Sequence, residues 1–351
     1  MAWQSQRPHH RSSRGYPVST MDQIMGQIGD EQNVLIVVMG ATGSGKTSFI
    51  NMASGSNLRT SASLASCTDR VQPSESFTID GRLVTLIDTP GFDDSERSDT
   101  DVLKMIALFL QVTYEAGKKL AGVIYVHRIL DPKLGGVSRR NFRMFRQLCG
   151  DETLKNVVIV TSMWDRTDYG TAVSRERELS SSDDCFKVAL DHGAKFTRHQ
   201  NNMSSAQSII RLLLPNAPQA LAIQRELVDE RKAISQTGAG VELNQELLKQ
   251  AQKHREEMEA LRQEMSTAMR ADRQQIAAEY QKVAAELKRV QGESEKLADG
   301  FNQEKARVEQ MMQVQDQAVR DANRSQLTRN LLTVCSIIVT AVIGVESNGG
   351  F

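Results

Sequence analysis

Cysteine is scarce and a charge excess is missing in this chain of 351 residues. The four cysteines are scattered, with no pair at the spacing of metal ligands, so the sequence indicates neither a zinc site nor a disulfide framework. This usage fits a reducing compartment. The 43 basic residues balance 43 acidic ones, a balance that favours no nucleic-acid partner. We expect no nucleic acid to bind.

Proline is missing from the last part of the chain, since all seven prolines lie at or before Pro218. A long segment without proline can continue as helix. We therefore predict an α/β domain over 31–216 and a helical segment over 217–330. Residues 1–20 carry three arginines and no acid, as a transit peptide does. Their two prolines and the lack of an apolar helical face favour a disordered tail, which we extend to residue 30.

Long apolar runs are rare, and the notable one is residues 331–345, which carry no charge. As a helix this segment would span about 22 Å, short of the roughly 30 Å of a bilayer core. It follows Arg329 and precedes a tail of residues 346–351. Two interpretations stay open: a tail anchor that holds a cytoplasmic protein on an intracellular membrane, or a segment buried against the domain or a partner. Membrane contact is slightly favoured.

Glycine and lysine form the most informative pattern in the chain. The apolar run Val34–Met39 leads directly into residues 40–47, which fit G-x-x-x-x-G-K-[ST] at every fixed position. Glycines let successive backbone N–H groups point at phosphate oxygens, and a helix over Lys46–Ser54 adds its positive dipole end. Lys46 would reach the β- and γ-phosphates. The predicted nucleotide-binding residues of this loop are Gly40, Ala41, Thr42, Gly43, Ser44, Gly45, Lys46, Thr47 and Ser48.

A second motif, Asp-Thr-Pro-Gly at residues 88–91, follows the loop in the sequence. An acid at the end of a core strand is where a Mg²⁺ ligand belongs in a phosphate-loop domain. The Ser- and Thr-rich loop 57–72 reads as a switch segment whose hydroxyl could bind the metal, with Thr68 first and Ser66 second. The predicted Mg²⁺ ligands are Thr47, Thr68 and Asp88. The predicted catalytic residues are Lys46, Thr68 and Gly91, whose N–H can approach the γ-phosphate.

Phe92 follows this motif, at a position where many GTPases carry a glutamine that orients the attacking water. A phenyl ring offers no polar atom for that task. We therefore expect intrinsic hydrolysis to be slow, or to be completed by a residue from elsewhere in the chain or from another chain.

Asp165 is the candidate for base selection. It ends the run Thr161-Ser162-Met163-Trp164-Asp165, which follows a strand predicted over 154–160. A carboxylate accepts hydrogen bonds from both N1–H and the exocyclic amine of guanine, whereas adenine offers no such donor pair. The sequence therefore predicts that guanine is preferred.

The remaining patterns predict the fold. Asp80-Gly81 between two β-rich runs predicts a hairpin. The predicted strands are 75–79, 82–87, 120–126, 154–160 and 194–198, and the predicted helices are 99–114, 138–149, 182–192 and 204–214. The order predicts the α/β P-loop NTPase fold, a doubly wound, mostly parallel sheet with helices on both faces.

Basic residues leave two alternatives open. His127 and Arg128 end the strand predicted over 120–126, where they face either the nucleotide or a partner domain, or solvent, which we favour. The helix over 138–149 carries arginines among its apolar residues. They form either a solvated basic face, the favoured interpretation, or a source of an arginine donated across a dimer. These arginines are Arg139, Arg140, Arg143 and Arg146.

Residues 33–214 resemble a septin-related G domain of the AIG/GIMAP type, in the TRAFAC class of P-loop GTPases. Residues 40–47 match the first motif of that family and residues 88–91 its third, and the layout is similar to fungal G-domain proteins with a C-terminal coiled coil. The resemblance implies binding of GTP and GDP with Mg²⁺ and pairing through the nucleotide faces. It also implies an asparagine near the base, which here is Asn201 or Asn202.

The fourth family motif departs from its usual form. The general pattern is Asn-Lys-x-Asp, and this chain has Ser162-Met163-Trp164-Asp165. Asp165 keeps the guanine preference. Met163 replaces a lysine whose stem covers one face of the base, and a thioether can pack there instead.

Beyond residue 217 the apolar residues follow a 3-4 spacing among charged ones, as in a coiled coil. The Thr237-Gly238-Ala239-Gly240 segment marks a joint, and the spacing slips by one residue within 271–276. We favour a self-associating stalk. The alternatives are a single solvated helix and a hairpin folded back on the domain.

These observations predict a GTP-binding switch with slow hydrolysis, whose nucleotide state controls dimerisation or assembly at or near a membrane. A second hypothesis is a scaffold in which GTP is structural and the coiled coil carries the function. An ATPase is a third, and it would let ATP compete as well as GTP for the site.

Overall fold

The computed structural model describes residues 33–60, 71–94, 97–131, 136–269 and 272–322, without the side chains of residue 137 and residues 298–322. The predicted N-terminal tail, Ser66, Thr68 and the apolar segment 331–345 lie outside the described residues. Among the residues described, no helix is both long enough and apolar enough to cross a membrane.

A seven-stranded sheet forms the centre of the protein. Its order is β2-β4-β1-β5-β6-β7, with β3 also paired to β4. The pairs β1–β4, β1–β5, β5–β6 and β6–β7 are parallel, and β2 and β3 run antiparallel to β4. The strands are β1 Val34–Met39, β2 Gln72–Pro73, β3 Phe77–Ile79, β4 Arg82–Asp88, β5 Gly122–Arg128, β6 Val157–Ser162 and β7 Lys195–Arg198.

Nine α-helices lie within the described residues, together with three short 3₁₀ turns at Asp151–Asn156, Trp164–Arg166 and Ile234–Gln236. The helices are α1 Lys46–Ser54, α2 Asp99–Glu115, α3 Gly136–Cys149, α4 Tyr169–Ser181, α5 Lys187–Asp191, α6 Met203–Arg211, α7 Ala222–Val228, α8 Gly238–Thr267 and α9 Arg273–Ala322.

Both faces of the sheet are buried, which explains why the core strands read as continuous apolar runs. Alternate residues of β1 enter opposite cores: Leu35 and Val37 pack with residues of α2 and α3, whereas Ile36 and Val38 pack with residues of α1 and α6. This arrangement confirms the predicted α/β fold with a mostly parallel sheet.

Helix α4 is not among the helices that the sequence patterns predicted. Only Ala172 and Leu179 of this helix are buried, so it has no apolar stripe to detect. Its start is fixed locally, because the Asp168 side chain accepts a hydrogen bond of 2.8 Å from the Thr171 N–H.

The helical segment forms a hairpin instead of the predicted stalk. Helices α8 and α9 run antiparallel, as shown by the 2.6 Å hydrogen bond from Ser294 Oγ to Asn244 Oδ1 and by the Arg262 guanidinium lying 5.5 Å from the Tyr280 ring centroid. The direction of the chain therefore reverses between Thr267, where α8 ends, and Arg273, where α9 begins, next to the predicted slip in the apolar spacing.

The hairpin packs on the α/β domain. Leu243 and Leu247 of α8 and Val290 and Leu297 of α9 belong to the same buried cluster as Leu35 of β1. An apolar helical stripe must be covered, and here helices α2 and α3 cover it within one chain. The predicted boundary at residue 217 therefore does not separate two cores.

The predicted joint lies where α8 begins. The Thr237 side chain accepts a hydrogen bond from the Gly240 N–H at 3.1 Å and so caps the helix. A Cβ on Gly240 would lie 1.9 Å from the Ile234 carbonyl oxygen, so glycine is required for the close approach of the two segments.

Replacing Leu243 tests the docked hairpin. Leu243 is 1% exposed and Leu248, on the same helix, is 56% exposed. We expect Leu243→Ala to lower the free energy of unfolding by about 2–5 kcal/mol, measured by chemical denaturation. Leu248→Ala should change it by less than about 0.5 kcal/mol. Equal effects of the two substitutions would contradict the packing of α8 on the domain.

Candidate nucleotide-binding site

The phosphate loop connects β1 to α1 with three glycines at positive φ: Gly40 at 143°, Gly43 at 71° and Gly45 at 95°. A Cβ on Gly40 would lie 2.3 Å from the Val126 carbonyl oxygen of β5. The loop therefore needs glycine both for its turns and for its contact with the neighbouring strand.

Lys46 lies over this loop. Its Nζ donates hydrogen bonds to the carbonyl oxygens of Gly40 at 3.1 Å and Ala41 at 3.0 Å. Burial lowers the pKa of Lys46 to about 8, against the attraction of Asp88 and Asp94, which raises it. The protein thus holds a poorly solvated cation at the centre of the loop, where an anion would stabilise its charge.

The two predicted metal-binding side chains that the structure describes are in contact. Thr47 Oγ1 donates a 2.7 Å hydrogen bond to Asp88 Oδ2, and Gln72 Nε2 approaches the same oxygen at 3.4 Å. Asp88 is fully buried. This hydroxyl and carboxylate are oxygen ligands of the kind that Mg²⁺ takes. Gln72 was not predicted, because the sequence placed it at the end of a loop.

The segment after β4 touches the phosphate loop. The Thr42 N–H donates a 2.8 Å hydrogen bond to the Phe92 carbonyl oxygen. A Cβ on Gly91 would lie 2.4 Å from the Thr42 nitrogen, so only glycine fits beside the loop. The Phe92 side chain is 1% exposed and belongs to the core. It packs rather than facing a substrate.

Two buried hydroxyls of the phosphate loop indicate whether a phosphate group fits there. Thr42 Oγ1 and Ser44 Oγ have no hydrogen-bond partner among the described residues. A buried hydroxyl without a partner is destabilising by about 1–3 kcal/mol. Phosphate oxygens would satisfy both hydroxyls as well as the N–H groups of the loop. The residues present therefore fit the phosphates of a nucleotide.

Ser162 joins the base-selecting segment to the phosphate loop. Its hydroxyl donates to the Ser44 carbonyl oxygen at 2.8 Å and lies 3.3 Å from that of His127. Ser162 stands where the general motif has asparagine, and its bonding partner was not predicted from the sequence. Asp165 is exposed in the turn Trp164–Arg166 that follows.

The two candidate asparagines differ in their surroundings. The Asn202 side chain caps α6, because its Oδ1 accepts a 2.8 Å hydrogen bond from the Ser205 N–H, and its Nδ2 donates to the Gln200 carbonyl oxygen at 3.3 Å. Asn201 is exposed and takes a left-handed backbone with φ of 53°. Of the pair, Asn201 is the one whose side chain is not used in the cap.

The two basic residues at the end of β5 face different surroundings. Arg128 Nη1 lies 3.3 Å from the position of a Cβ on Gly43, and Arg128 Nε lies 3.2 Å from Asp131 Oδ1. Arg128 is therefore beside the phosphate loop rather than in open solvent. His127 is buried with its ring 5.5 Å from Phe186, and burial lowers its pKa to about 4.

The four arginines of α3 all have acidic partners within this chain. Each lies within 4 Å of an acidic group of the same chain. The pairs are Arg139 with Asp184 at 3.6 Å, Arg140 with Asp99, Arg143 with Glu242 at 2.7 Å and Arg146 with Asp151 at 3.8 Å. These ion pairs connect α3 to α2, α8 and neighbouring turns, and the donation of an arginine to another chain stays a prediction.

The fold and this loop define an α/β domain of the P-loop class. Within it, residues 34–170 match the profile of the AIG1 family. That segment is an AIG1-type G domain, which confirms the AIG-type part of the resemblance predicted from the motifs. No curated protein matches the sequence.

Solved structures give distant similarities. Toc33 from Arabidopsis thaliana in complex with Mg²⁺ and GMPPNP is 17% identical over 57% of this chain and 92% of its own, with a TM-score of 0.42. Toc33 with GDP and Mg²⁺ is 16% identical over 59% and 98%, with a TM-score of 0.41. Era from Aquifex aeolicus, bound to GDP and AlF₄⁻, is 14% identical over 54% and 58%, with a TM-score of 0.38.

Nucleotide affinity should fall as pH rises through the Lys46 pKa. The free protein holds Lys46 with a pKa of about 8, and bound phosphate raises that pKa because it favours the charged form. Between about pH 8 and pH 9 the dissociation constant for GDP should therefore rise by up to about tenfold. Equilibrium titrations across this range measure it. Guanosine, which has no phosphate, is the control, and identical pH profiles for the two would contradict the role of Lys46.

Proposed function

We propose that this protein is a guanine-nucleotide-binding switch that hydrolyses GTP slowly with Mg²⁺. The observation that supports this proposal is the arrangement of the phosphate loop. Lys46 lies over its glycines, and the buried Thr42 and Ser44 hydroxyls have no hydrogen-bond partner among the described residues. The Thr47–Asp88 pair adjoins the loop. Lys46, Gly91 and Thr68 are the proposed catalytic residues.

We propose that the base lies at the turn Trp164–Arg166. Ser162 bonds directly to the phosphate loop, so the turn that carries Asp165 and the loop are held at a fixed distance. Asp165 would accept the two guanine donors, and Asn201, whose side chain is not used in the cap of α6, would make a further contact. Met163 would cover one face of the base.

The switch proposal rests on the segment after Gly91. The Asp93 N–H donates a 2.8 Å hydrogen bond to Asp99 Oδ1, and Asp99 forms an ion pair with Arg140. Thr100 Oγ1 lies 3.5 Å from the Glu293 carbonyl oxygen of α9. A change at the γ-phosphate end of the site would thus reach the helical hairpin through a few contacts. We propose that the nucleotide state controls assembly of the protein by this route.

Phe92 has no polar atom that could orient the attacking water. Pairing of two G domains through their nucleotide faces would supply a polar group from the second chain. Arg128, beside Gly43, is the basic side chain at this face that such a pair would bring into play. The scaffold alternative, in which GTP is structural, is favoured by the burial of Phe92.

We further propose that residues 331–345 attach the protein to a membrane, and that the chain is otherwise cytoplasmic.

Asp165→Asn tests the base assignment. A carboxylate accepts from N1–H and the exocyclic amine of guanine, whereas an amide presents one acceptor and one donor. That pair matches xanthine, which has a carbonyl in place of the amine. We expect the substitution to weaken GTP binding by at least about tenfold and to strengthen binding of xanthosine triphosphate, measured by competition. An unchanged order of preference, or equal competition by ATP in the wild type, would exclude Asp165 as the selecting group.

Single-turnover phosphate release from GTP tests the enzymatic function. Release by the wild type should exceed that of Lys46→Ala, and its rate per molecule should rise with protein concentration because pairing completes the site. Arg128→Ala should abolish the concentration dependence. Arg139→Ala is the matched control, since Arg139 pairs with Asp184 at the surface. No release above the Lys46→Ala level at any concentration would favour the scaffold.

A further inference from the structure

A cation lies on the aromatic ring next to the proposed base contact. The Arg198 guanidinium carbon is 4.1 Å from the centroid of the Trp164 ring. The other end of the indole is fixed, because Trp164 Nε1 donates a 3.0 Å hydrogen bond to Thr161 Oγ1. Trp164 is thus held both at its ring face and at its nitrogen.

Arg198 is itself held in one orientation. Its Nε donates to Glu176 Oε1 at 2.7 Å, its Nη2 pairs with Glu176 Oε2, and its Nη1 donates to the Tyr169 hydroxyl at 3.1 Å. Both acceptors belong to α4, the helix that the sequence patterns missed. The two-point contact with Glu176 fixes the guanidinium plane, which a single-point contact would leave free to rotate.

The turn beside this cluster needs support. Met163 has a left-handed backbone with φ of 63°, which is unfavourable for a side chain with a Cβ. The turn is closed by a hydrogen bond from the Arg166 N–H to the Met163 carbonyl at 3.2 Å. Just before the turn, the Ser162 carbonyl accepts a hydrogen bond of 3.1 Å from the Ile129 N–H, which follows β5. Strained backbone of this kind persists where the surroundings over-determine it, and it clusters at ligand sites.

We infer that Arg198 is a positioning residue for guanine selection: by stacking on Trp164 it fixes the turn that presents Asp165 to the base. This inference rests on the proposed guanine-binding function. Asp165 directly follows Trp164 in the same turn, so a backbone displacement of Trp164 would move the carboxylate. The Arg198–Glu176 pair is partly buried, with side-chain exposures of 35% and 18%. Its proposed importance lies in the position of the Asp165 carboxylate, which decides whether both hydrogen bonds to guanine form.

The test compares GTP with inosine triphosphate, which lacks the exocyclic amine but keeps the same phosphates. Arg198→Ala should weaken GTP binding by about tenfold, as expected for a weakened charge-assisted hydrogen bond, and inosine triphosphate binding by less. The ratio of the two affinities therefore falls. Because both ligands use the same phosphate loop, a general loss of folded protein cancels in this ratio.

Two further variants separate positioning from charge. Arg198→Lys keeps the positive charge but loses the planar, two-point contact. The ratio of GTP affinity to inosine triphosphate affinity should therefore fall in this variant as well. Arg211→Ala removes a more exposed arginine pair, with Asp80 at 3.0 Å on another surface, and should leave the ratio of the two affinities unchanged. If Arg198→Ala binds no nucleotide, Arg198→Lys decides by the same ratio.

Trp164 supplies an independent readout, since the chain has two tryptophans. In a Trp3→Phe background, GTP should change the Trp164 emission, and Arg198→Ala should abolish that change. Wild-type ratios in both Arg198 variants, with the emission change retained, would overturn the inference while leaving guanine binding intact. A wild type that does not prefer GTP over inosine triphosphate would instead refute the base assignment, and with it this inference.

Discussion

A buried ammonium group is the interaction on which the site depends. Lys46 gives up most of its hydration to lie against the carbonyl oxygens of Gly40 and Ala41, and its lowered pKa reflects that desolvation. An anion bound at the loop would offset the unfavourable desolvation of the Lys46 ammonium group. The parallel sheet arranges the remaining groups around it, since β4 and β5 flank β1 and bring Asp88 and Arg128 to the same edge.

The helical hairpin makes the rest of the chain part of this arrangement. Arg143 of α3 pairs with Glu242 of α8 at 2.7 Å, and Thr100 of α2 lies against α9. The hairpin therefore contacts α3 through α8 and α2 through α9, and α2 begins at Asp99, shortly after Gly91. The nucleotide site and the helices share one buried cluster, and this continuity is the physical basis for proposing that one influences the other.

Local patterns predicted the site better than the long-range packing. The bounds of β1 and α1 followed from an apolar run and a glycine motif, both of which act over a few residues. The apolar stripe of α8 and α9 was visible in the sequence, but which surface covers it depends on contacts far along the chain. Arg198 illustrates the same limit: its partner Trp164 lies on another strand end, and no spacing in the sequence signals the contact. Thr68 stays a prediction.

Direct binding of Mg²⁺–GTP to the full-length wild-type chain, measured by titration calorimetry, tests the central claim most directly. The account predicts saturable binding of one nucleotide per chain, weakened when Mg²⁺ is removed and lost in Lys46→Ala. A properly folded protein that binds neither GTP nor GDP in the presence of Mg²⁺ would contradict it.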